Sequence, residues 1–368
     1  MKNTIVLLIS LLVFSCESKT FGTGKFRTFE FTYGVELEST DGKKLELWIP
    51  VPQSSVIQSI TDLSIDAQGM NYELKDEDFH GNKYLYILEE NGINESKTVS
   101  MTFTVVREEQ QNIKNNDVDN EKYLKSSRMV PVGQMFKAVI GENNLKSDNI
   151  RELYDFVLNG MHYGKPTDDK NSGNHKYIHG GKNPKTGKEW LPSNITYGLK
   201  NKSKDELVKS QKDNYSYGNG NSIYACDIGV GNCTDYHSYF ISLSRTMGVP
   251  ARFHMGFPIP SGDEGIVKGY HCWADYYIDG KGWYPVDISE ADKDPNKIEY
   301  FFGTVDESRV EMMAGRDFDL FNYSSNPVNL FIYPLLEIDD KPSNKFSKEF
   351  RFRNLWRILK FLVEIRVK

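Results

Sequence analysis

The sequence has little cysteine and no marked excess of either charge, and both shortages exclude classes of protein. It has 4 cysteines in 368 residues, and no pair shows the Cys-x-x-Cys spacing common in zinc sites. The 45 Lys and Arg residues against 51 Asp and Glu residues give a net charge of -6. We therefore expect neither a cysteine-based zinc site nor a nucleic-acid partner.

The sequence also lacks an apolar run long enough to span a membrane. Its start, residues 5–14 after Lys2, is shorter than the roughly 20 residues of a spanning helix, and indicates an export signal over residues 1–15. Val-Phe-Ser-Cys, ending at Cys16, resembles a bacterial lipobox, whose Cys becomes the lipidated first residue. An ordinary cleavage site is the alternative, but its preferred small-x-small pair is absent. We expect a membrane-anchored bacterial lipoprotein on the periplasmic or cell-surface side, with residues 16–25 as a tether.

The remaining length suffices for two folded parts. Alternating apolar residues over 26–107, separated by Asp-Gly and Asn-Gly turn signals, predict a small antiparallel β-sandwich domain. The polar stretch 108–120 indicates a linker, and a helical apolar pattern at 150–158 belongs to a second domain expected over 121–340. With 39% hydrophobic residues, the chain can bury both cores.

Two further segments leave alternatives open. Residues 165–216, rich in Lys, Asn, Gly and Ser, predict either a functional covering loop or a partly disordered insertion. His175 and His179 within it have a metal-like spacing, but they lack carboxylate or thiol company, so we favour a solvated loop. The basic tail 341–368 alternates like a last strand at 350–352 and then forms an amphipathic pattern. That pattern fits either a helix on an anionic membrane, which would aid the lipid anchor, or one docked on its own domain.

Cys233 is the residue with the clearest chemical context. It lies in Gly-Asn-Cys-Thr-Asp at 231–235, and the residues from Thr234 to Met247 place their apolar side chains on one helical face before a stop at Gly248. The N-terminus of a helix favours thiolate over thiol through its exposed N–H groups and its dipole. Cys233 is therefore the predicted nucleophile, and its own N–H is available to an oxyanion.

His271 and Asp287 complete a Cys-His-Asp set on three separate elements. His271 falls in a predicted strand over 267–278, and Asp287 ends its hairpin partner. With a three-residue loop at 279–281, Asp287 lies opposite Trp273 on the face of His271, one diagonal step from the imidazole. A two-residue loop would place them on opposite faces unless a bulge intervened.

These motifs together resemble the transglutaminase-like superfamily, whose papain-like core carries Cys on a helix and His and Asp on adjacent strands. The resemblance covers residue 121 to about residue 340. It implies an α+β fold, with Cys233 as nucleophile, His271 as general acid-base, Asp287 as its orienting carboxylate and an accessory β domain before the core. The mechanism requires no cofactor and no metal. The matching segments are GNCTDYHS at 231–238, RTMGVPAR at 245–252, GYHCWA at 269–274 and GWYPVD at 282–287.

Several neighbours are candidate oxyanion donors or supports of the triad. His237 shares a helical face with Cys233, but a base on the same helix points poorly at the thiol, so we favour a packing or hydrogen-bonding role. Asp235 is predicted to cap the first turn. The second oxyanion donor is not identifiable, although Trp190 and Tyr224 are candidates. The supporting candidates are Asn232, Asp235, His237 and Trp273.

The other two cysteines of the mature chain are Cys226 and Cys272. In an oxidising compartment they could pair, which would leave Cys233 as the odd thiol. We favour the alternative that both are small buried hydrophobic residues.

The predicted activity is attack of a thiolate on an amide carbonyl to give a thioester, with the imidazolium protonating the leaving amine. Water as acceptor makes a peptidase or amidase, and a Lys amine makes a cross-linking transglutaminase. We favour hydrolysis of a peptide or protein substrate, because many bacterial relatives of the superfamily look like proteases. The alternative is a non-catalytic surface-binding lipoprotein in which the triad is a relic.

Overall fold

The computed structural model describes residues 24–114, 119, 121–133, 135–164 and 217–355. The predicted export signal, Cys16, most of the tether, the insertion 165–216 with both of its histidines and Trp190, and the amphipathic part of the tail lie outside these residues. Within the described ranges, no helix is both long and apolar enough to cross a membrane.

The described residues form a mixed α+β fold with N-terminal antiparallel sheets, as the sequence predicts. The helices are α1 (Met135–Glu142), α2 (Ile150–Gly160), α3 (Ser222–Ile228), α4 (Cys233–Thr246) and α5 (Ile288–Lys293). The strands are β1 (Phe26–Leu37), β2 (Leu45–Val51), β3 (Gln58–Asp66), β4 (Tyr72–Glu77), β5 (Asn82–Glu89), β6 (Lys97–Glu108), β7 (His162–Tyr163), β8 (Val230–Gly231), β9 (Ala251–Pro258), β10 (Glu264–Ile266), β11 (His271–Ile278), β12 (Gly282–Val286), β13 (Arg309–Ala314), β14 (Leu335–Ile338), β15 (Lys341–Ser343) and β16 (Phe346–Asn354).

The N-terminal strands belong to two five-stranded sheets that also contain strands from later in the chain. One sheet has the order β10-β16-β1-β6-β3 and the other β15-β14-β2-β5-β4. Strand β1 buries every second side chain from Phe29 to Leu37, the period expected of a half-buried strand. The predicted last strand at 350–352 is confirmed as part of β16, which pairs with β1. The N-terminal β region is therefore completed by β10 and β14–β16, which the sequence pattern did not reveal.

The core sheet has the antiparallel order β12-β11-β9-β13, and helix α4 packs against it. Phe240 of α4 meets Tyr276 of β11 with ring centroids 6.2 Å apart. Helix α4 is buried from Cys233 to Ser244, including its small polar residues. Each of the three serines of α4 has a partner for its buried hydroxyl: Ser238 donates to the carbonyl of Thr234 at 2.7 Å, Ser242 to the hydroxyl of Ser222 at 2.7 Å and Ser244 to the carbonyl of Val249 at 3.1 Å.

The N-terminal sheets and the core sheet share one hydrophobic core. Phe257 of β9 contacts Phe31 of β1 and Phe350 of β16, with ring centroids 5.3 Å and 4.4 Å apart. The described part of the predicted linker also pairs with the core, since backbone bridges join Gln110 to Val305 and Ile113 to Trp283. The core sheet that carries the site is thus held against the β-sandwich by apolar packing and by the backbone of residues 110–113.

Candidate active site

Cys233 is the first residue of α4, as the sequence predicts, and a complete capping box precedes it. The side chain of Asn232 accepts from the N–H groups of Thr234 and Asp235 at 2.9 and 3.4 Å, while the N–H of Asn232 donates to the Asp235 carboxylate at 3.1 Å. Such a box satisfies N–H groups that have no partner within the helix. It fixes the helix at the residue that carries the thiol.

Asp235 also holds the loop that leads into the site. Its carboxylate accepts from the N–H groups of Gly218 at 2.9 Å and Gly220 at 3.0 Å. Burial raises the pKa of Asp235 to about 7, against the opposing effect of these N–H donors. A Cβ at Gly231 would lie 2.4 Å from the Cβ of Asp235, so only glycine fits there without movement. The predicted capping role of Asp235 is confirmed, and it extends to residues 218–220.

The hairpin of β11 and β12 has the register of a three-residue loop. Ile278 pairs with Gly282 and Ala274 with Val286, so Asp287 follows directly after the paired residues. In this arrangement His271 Nε2 lies 2.7 Å from Asp287 Oδ2. The structure therefore brings the predicted histidine and aspartate into hydrogen-bonding contact, and leaves Nδ1 as the ring nitrogen for the thiol.

Asp287 is completely buried, and all of its described partners are donors. Besides His271, Oδ2 accepts from Arg309 Nη1 at 3.0 Å, while Oδ1 accepts from the hydroxyl of Ser289 at 3.1 Å and from the N–H of Glu290 at 3.2 Å. The last contact makes Asp287 the N-cap of α5. The carboxylate is consequently held in one orientation toward the imidazole.

The protonation states of the triad follow from this burial and pairing. Although burial opposes its charge, the negative charge of Asp287 raises the pKa of His271 to about 10. The pKa of Asp287 lies well below its usual range, because His271 and Arg309 outweigh the burial. The pKa of Cys233 is lowered by interaction with the Cys272 thiol first and with His271 as well, although burial opposes the shift. The lowered pKa of Cys233 and the raised pKa of His271 both favour a thiolate beside an imidazolium, and the lowered pKa of Asp287 favours the carboxylate.

His237 connects α4 to α5 as a neutral group. Its Nδ1 lies 2.7 Å from the carbonyl of Cys233, and its Nε2 accepts from the N–H of Ile288 at 3.1 Å. These two partners assign the proton to Nδ1 and exclude the charged ring. Burial lowers the pKa of His237, which agrees with this assignment. The favoured prediction, a hydrogen-bonding role for His237, is confirmed. Its ring joins α4, which begins at Cys233, to α5, which follows Asp287.

Trp273 of β11 is buried among charged groups. Its ring stacks on His254 with centroids 5.6 Å apart, and the guanidinium of Arg309 lies 5.1 Å from it. Behind it the buried Asp275 binds Arg252 and His254 at 2.7 and 3.1 Å. These contacts make Trp273 a packing support for Arg309, whereas its role as an oxyanion donor stays a prediction.

Three residues that the sequence did not single out interact electrostatically with Cys233. The hydroxyl of Tyr270 lies 3.0 Å from the hydroxyl of Thr234, and the negative charge of Cys233 contributes, after burial, to raising the pKa of Tyr163 to about 12. The ammonium of Lys293 lies 4.1 Å from the ring of Tyr163. Tyr270 directly precedes the predicted histidine, so its position in the sequence was a signal that it belongs to the site. Only the fold brings Tyr163 and Lys293 into electrostatic range of the thiol.

The remaining candidates from the sequence are Tyr224, Cys226 and Cys272. Tyr224 of α3 packs with Val230 and Tyr217, and its oxyanion role stays a prediction. Cys226 and Cys272 are buried thiols rather than a disulfide, so the favoured alternative is confirmed for that pair. Among the described residues, no cluster of His, Cys, Asp and Glu could hold a metal ion.

A helix-borne cysteine beside a strand-borne histidine and its aspartate, on an α+β core, is the arrangement of a papain-like thiol site. Residues 182–288 match the family profile described as the transglutaminase-like superfamily, and this span includes the whole triad. The chain therefore carries a transglutaminase-like domain.

Individual proteins are similar to this chain over most of its length. An uncharacterised protein of Haemophilus influenzae is 25% identical over 361 residues, which cover 88% of this chain and 89% of that protein. The solved structure of a candidate cysteine protease from Cytophaga hutchinsonii has 15% identity and a TM-score of 0.45, covering 89% of this chain and 100% of its own. The periplasmic domain of TgpA from Pseudomonas aeruginosa has 13% identity and a TM-score of 0.31, covering 73% of this chain and 90% of its own.

Proposed function

We propose that this protein is a thiol-dependent acyl-transfer enzyme that hydrolyses amide bonds in peptides or proteins. The observation that carries the proposal is the placement of Cys233 at the first residue of α4, where its thiol interacts with an imidazole that Asp287 holds at 2.7 Å. Non-catalytic binding of a peptide at the cell surface is the alternative that the first experiment tests.

The proposed reaction uses each group in its resting protonation state. The Cys233 thiolate attacks the amide carbonyl, and the backbone N–H of Cys233, in the first turn of α4, stabilises the oxyanion. His271 then donates its Nδ1 proton to the leaving amine as the C–N bond breaks, which gives a thioester and a neutral imidazole. Water, deprotonated by the same nitrogen, attacks the thioester and releases the acid. Asp287 keeps Nε2 protonated throughout and so fixes Nδ1 as the working atom.

The first test is the pH dependence of iodoacetamide alkylation, with mass mapping of the labelled residue. Wild-type Cys233 should be alkylated well below pH 8, because its pKa is lowered. In a separate assay, substrate turnover should decline as pH rises through about 10, where His271 loses its proton. In His271→Ala the alkylation profile should move toward that of an ordinary thiol, whose pKa is about 8.5. A wild-type alkylation profile like that of an ordinary thiol would refute the proposed enzyme and favour a non-catalytic peptide-binding protein.

The same preparations separate the two acceptors. Water as acceptor predicts cleavage of a denatured protein with no incorporation of a fluorescent alkylamine, whereas incorporation without cleavage would identify a cross-linking transglutaminase. Cys233→Ala provides the background for both assays.

We further propose that the enzyme is held at the membrane by lipid on Cys16, outside the cytoplasm. The support is the lipobox-like sequence after the apolar segment 5–14. Expression in a bacterial host should place the wild-type chain in the membrane fraction, and Cys16→Ala should shift it to the soluble fraction. Equal membrane retention of the two would refute the lipid anchor, and comparison with a chain ending at Asn354 would show whether the basic tail holds it instead.

A further inference from the structure

The nucleophile has a second thiol beside it. Cys272, which follows the triad histidine on β11, is completely buried on the side of the core sheet that faces α4. Its sulfur lies 3.5 Å from the hydroxyl of Thr234, the residue after Cys233. Each of the two thiols also shifts the pKa of the other, so their side chains are within interacting range. The β-strand thus positions a thiol next to the nucleophilic sulfur, independently of the His271–Asp287 pair.

The pKa values of the two thiols are shifted in opposite directions. Burial, followed by the interaction with the Cys233 sulfur, raises the pKa of Cys272 well above its usual range. Cys272 therefore remains a neutral thiol that can donate its proton toward the Cys233 thiolate. The proposed hydrolysis needs no second sulfur, so the mechanism leaves Cys272 without a chemical step.

We propose that Cys233 and Cys272 form an oxidisable dithiol, which a peroxide converts into an internal disulfide that reversibly blocks the active site. The proposal rests on the reactive Cys233 thiolate of the proposed function. An exported thiol enzyme would meet such oxidants, and a thiol beside the nucleophile competes with irreversible oxidation of that sulfur.

The chemistry balances in two steps. The Cys233 thiolate attacks one peroxide oxygen, the O–O bond breaks, and the products are a sulfenic acid at Cys233 and one water after proton uptake. The Cys272 sulfur then attacks the sulfenic sulfur, the S–O bond breaks, and the departing hydroxide takes the Cys272 proton as a second water. The two sulfurs lose two electrons in total, and the peroxide gains them. A dithiol reductant reverses the result by thiol–disulfide exchange.

The test treats the full chain with hydrogen peroxide and then measures iodoacetamide labelling of Cys233 before and after dithiothreitol. Oxidation should lower the labelling at least about tenfold, and dithiothreitol should restore most of it, because a disulfide is reducible and a sulfinic acid is not. Peptide mapping without reductant should identify a Cys233–Cys272 cross-link. In Cys272→Ser the loss should become irreversible, with sulfinic acid on Cys233, whereas Cys226→Ser should behave as wild type.

Mapping of the wild-type chain keeps the test valid even if Cys272→Ser fails to fold. Irreversible oxidation of wild-type Cys233 without a cross-link, or a cross-link to Cys226, would overturn the proposal. Labelling below pH 8 before oxidation is the check on the proposed function itself. If that labelling is normal and no cross-link forms, the dithiol alone is refuted.

Discussion

Cys233→Ala should lower the rate of amide hydrolysis by at least about 10³-fold while leaving the fold intact. Without the sulfur no thioester can form, and the imidazolium and the oxyanion donor would act only on direct attack by water. Cys233 is 4% exposed and alanine fits the same space, so the far-ultraviolet circular dichroism spectrum and the unfolding midpoint should change little. The measurement is the initial rate of cleavage of a quenched fluorescent peptide mixture at pH 7.

Cys226→Ala is the matched control, since it removes a buried thiol of the same core from helix α3. It should retain the wild-type rate. If Cys233→Ala kept more than about a tenth of the activity, a covalent thioester at this position could not be the main route. Equal losses in the two variants would instead indicate that any cavity in this part of the core disturbs the site.

Asp287→Ala should reduce both activity and the free energy of unfolding, the latter by about 3–5 kcal/mol, because it removes the buried carboxylate that His271 and Arg309 share. The carboxylate neutralises Arg309 at 3.0 Å and His271 at 2.7 Å, and both of these side chains are buried. The depressed pKa of Asp287 means that its contribution is fully present above pH about 4 and is lost as pH falls through the folded-state value. Urea unfolding at pH 7 measures the loss.

Asp306→Ala is the comparison for this variant. Asp306 accepts from the other end of the same guanidinium at 2.8 Å, but its side chain is 32% exposed, so its loss should cost less. Asp287→Ala combined with Arg309→Met should recover part of the stability, since it removes one of the unpaired charges, yet it should not restore activity. An Asp287→Ala protein as stable as wild type would show that the buried charges are not balanced in the proposed way.

The local chemistry of the site could be predicted because it depends on short stretches of chain. Helix α4 begins at Cys233 because Asn232 and Asp235 cap it, and both stand beside the thiol in the sequence. The contact between His271 and Asp287 follows from the length of one hairpin loop, since alternation in a strand leaves only two faces. The predicted last strand also follows from periodicity, whereas the α+β class of the core follows from the family resemblance.

Contacts between distant segments could not be predicted in this way. Strands β14–β16 carry the same alternation as any half-buried strand, and nothing in that pattern names β1 or β2 as the neighbour. Arg309 is 22 residues beyond Asp287, and its charge gave no sign that it would lie against that carboxylate. Cys272 stands next to the predicted histidine, yet only the packing of β11 on α4 brings its sulfur to within 3.5 Å of the Thr234 hydroxyl.

What the sequence by itself determined is the set of reactive groups and their immediate setting: a thiol at a helix N-terminus, and an imidazole and a carboxylate on paired strands. Each is decided by hydrogen bonds between residues close in the chain. The tertiary structure decided the charge state of those groups and which distant residues lie next to them. Burial and long-range pairing with Arg309 and Cys272 set the pKa values, and these depend on the low-dielectric interior that forms only when the β-sandwich, α4 and the core sheet pack together.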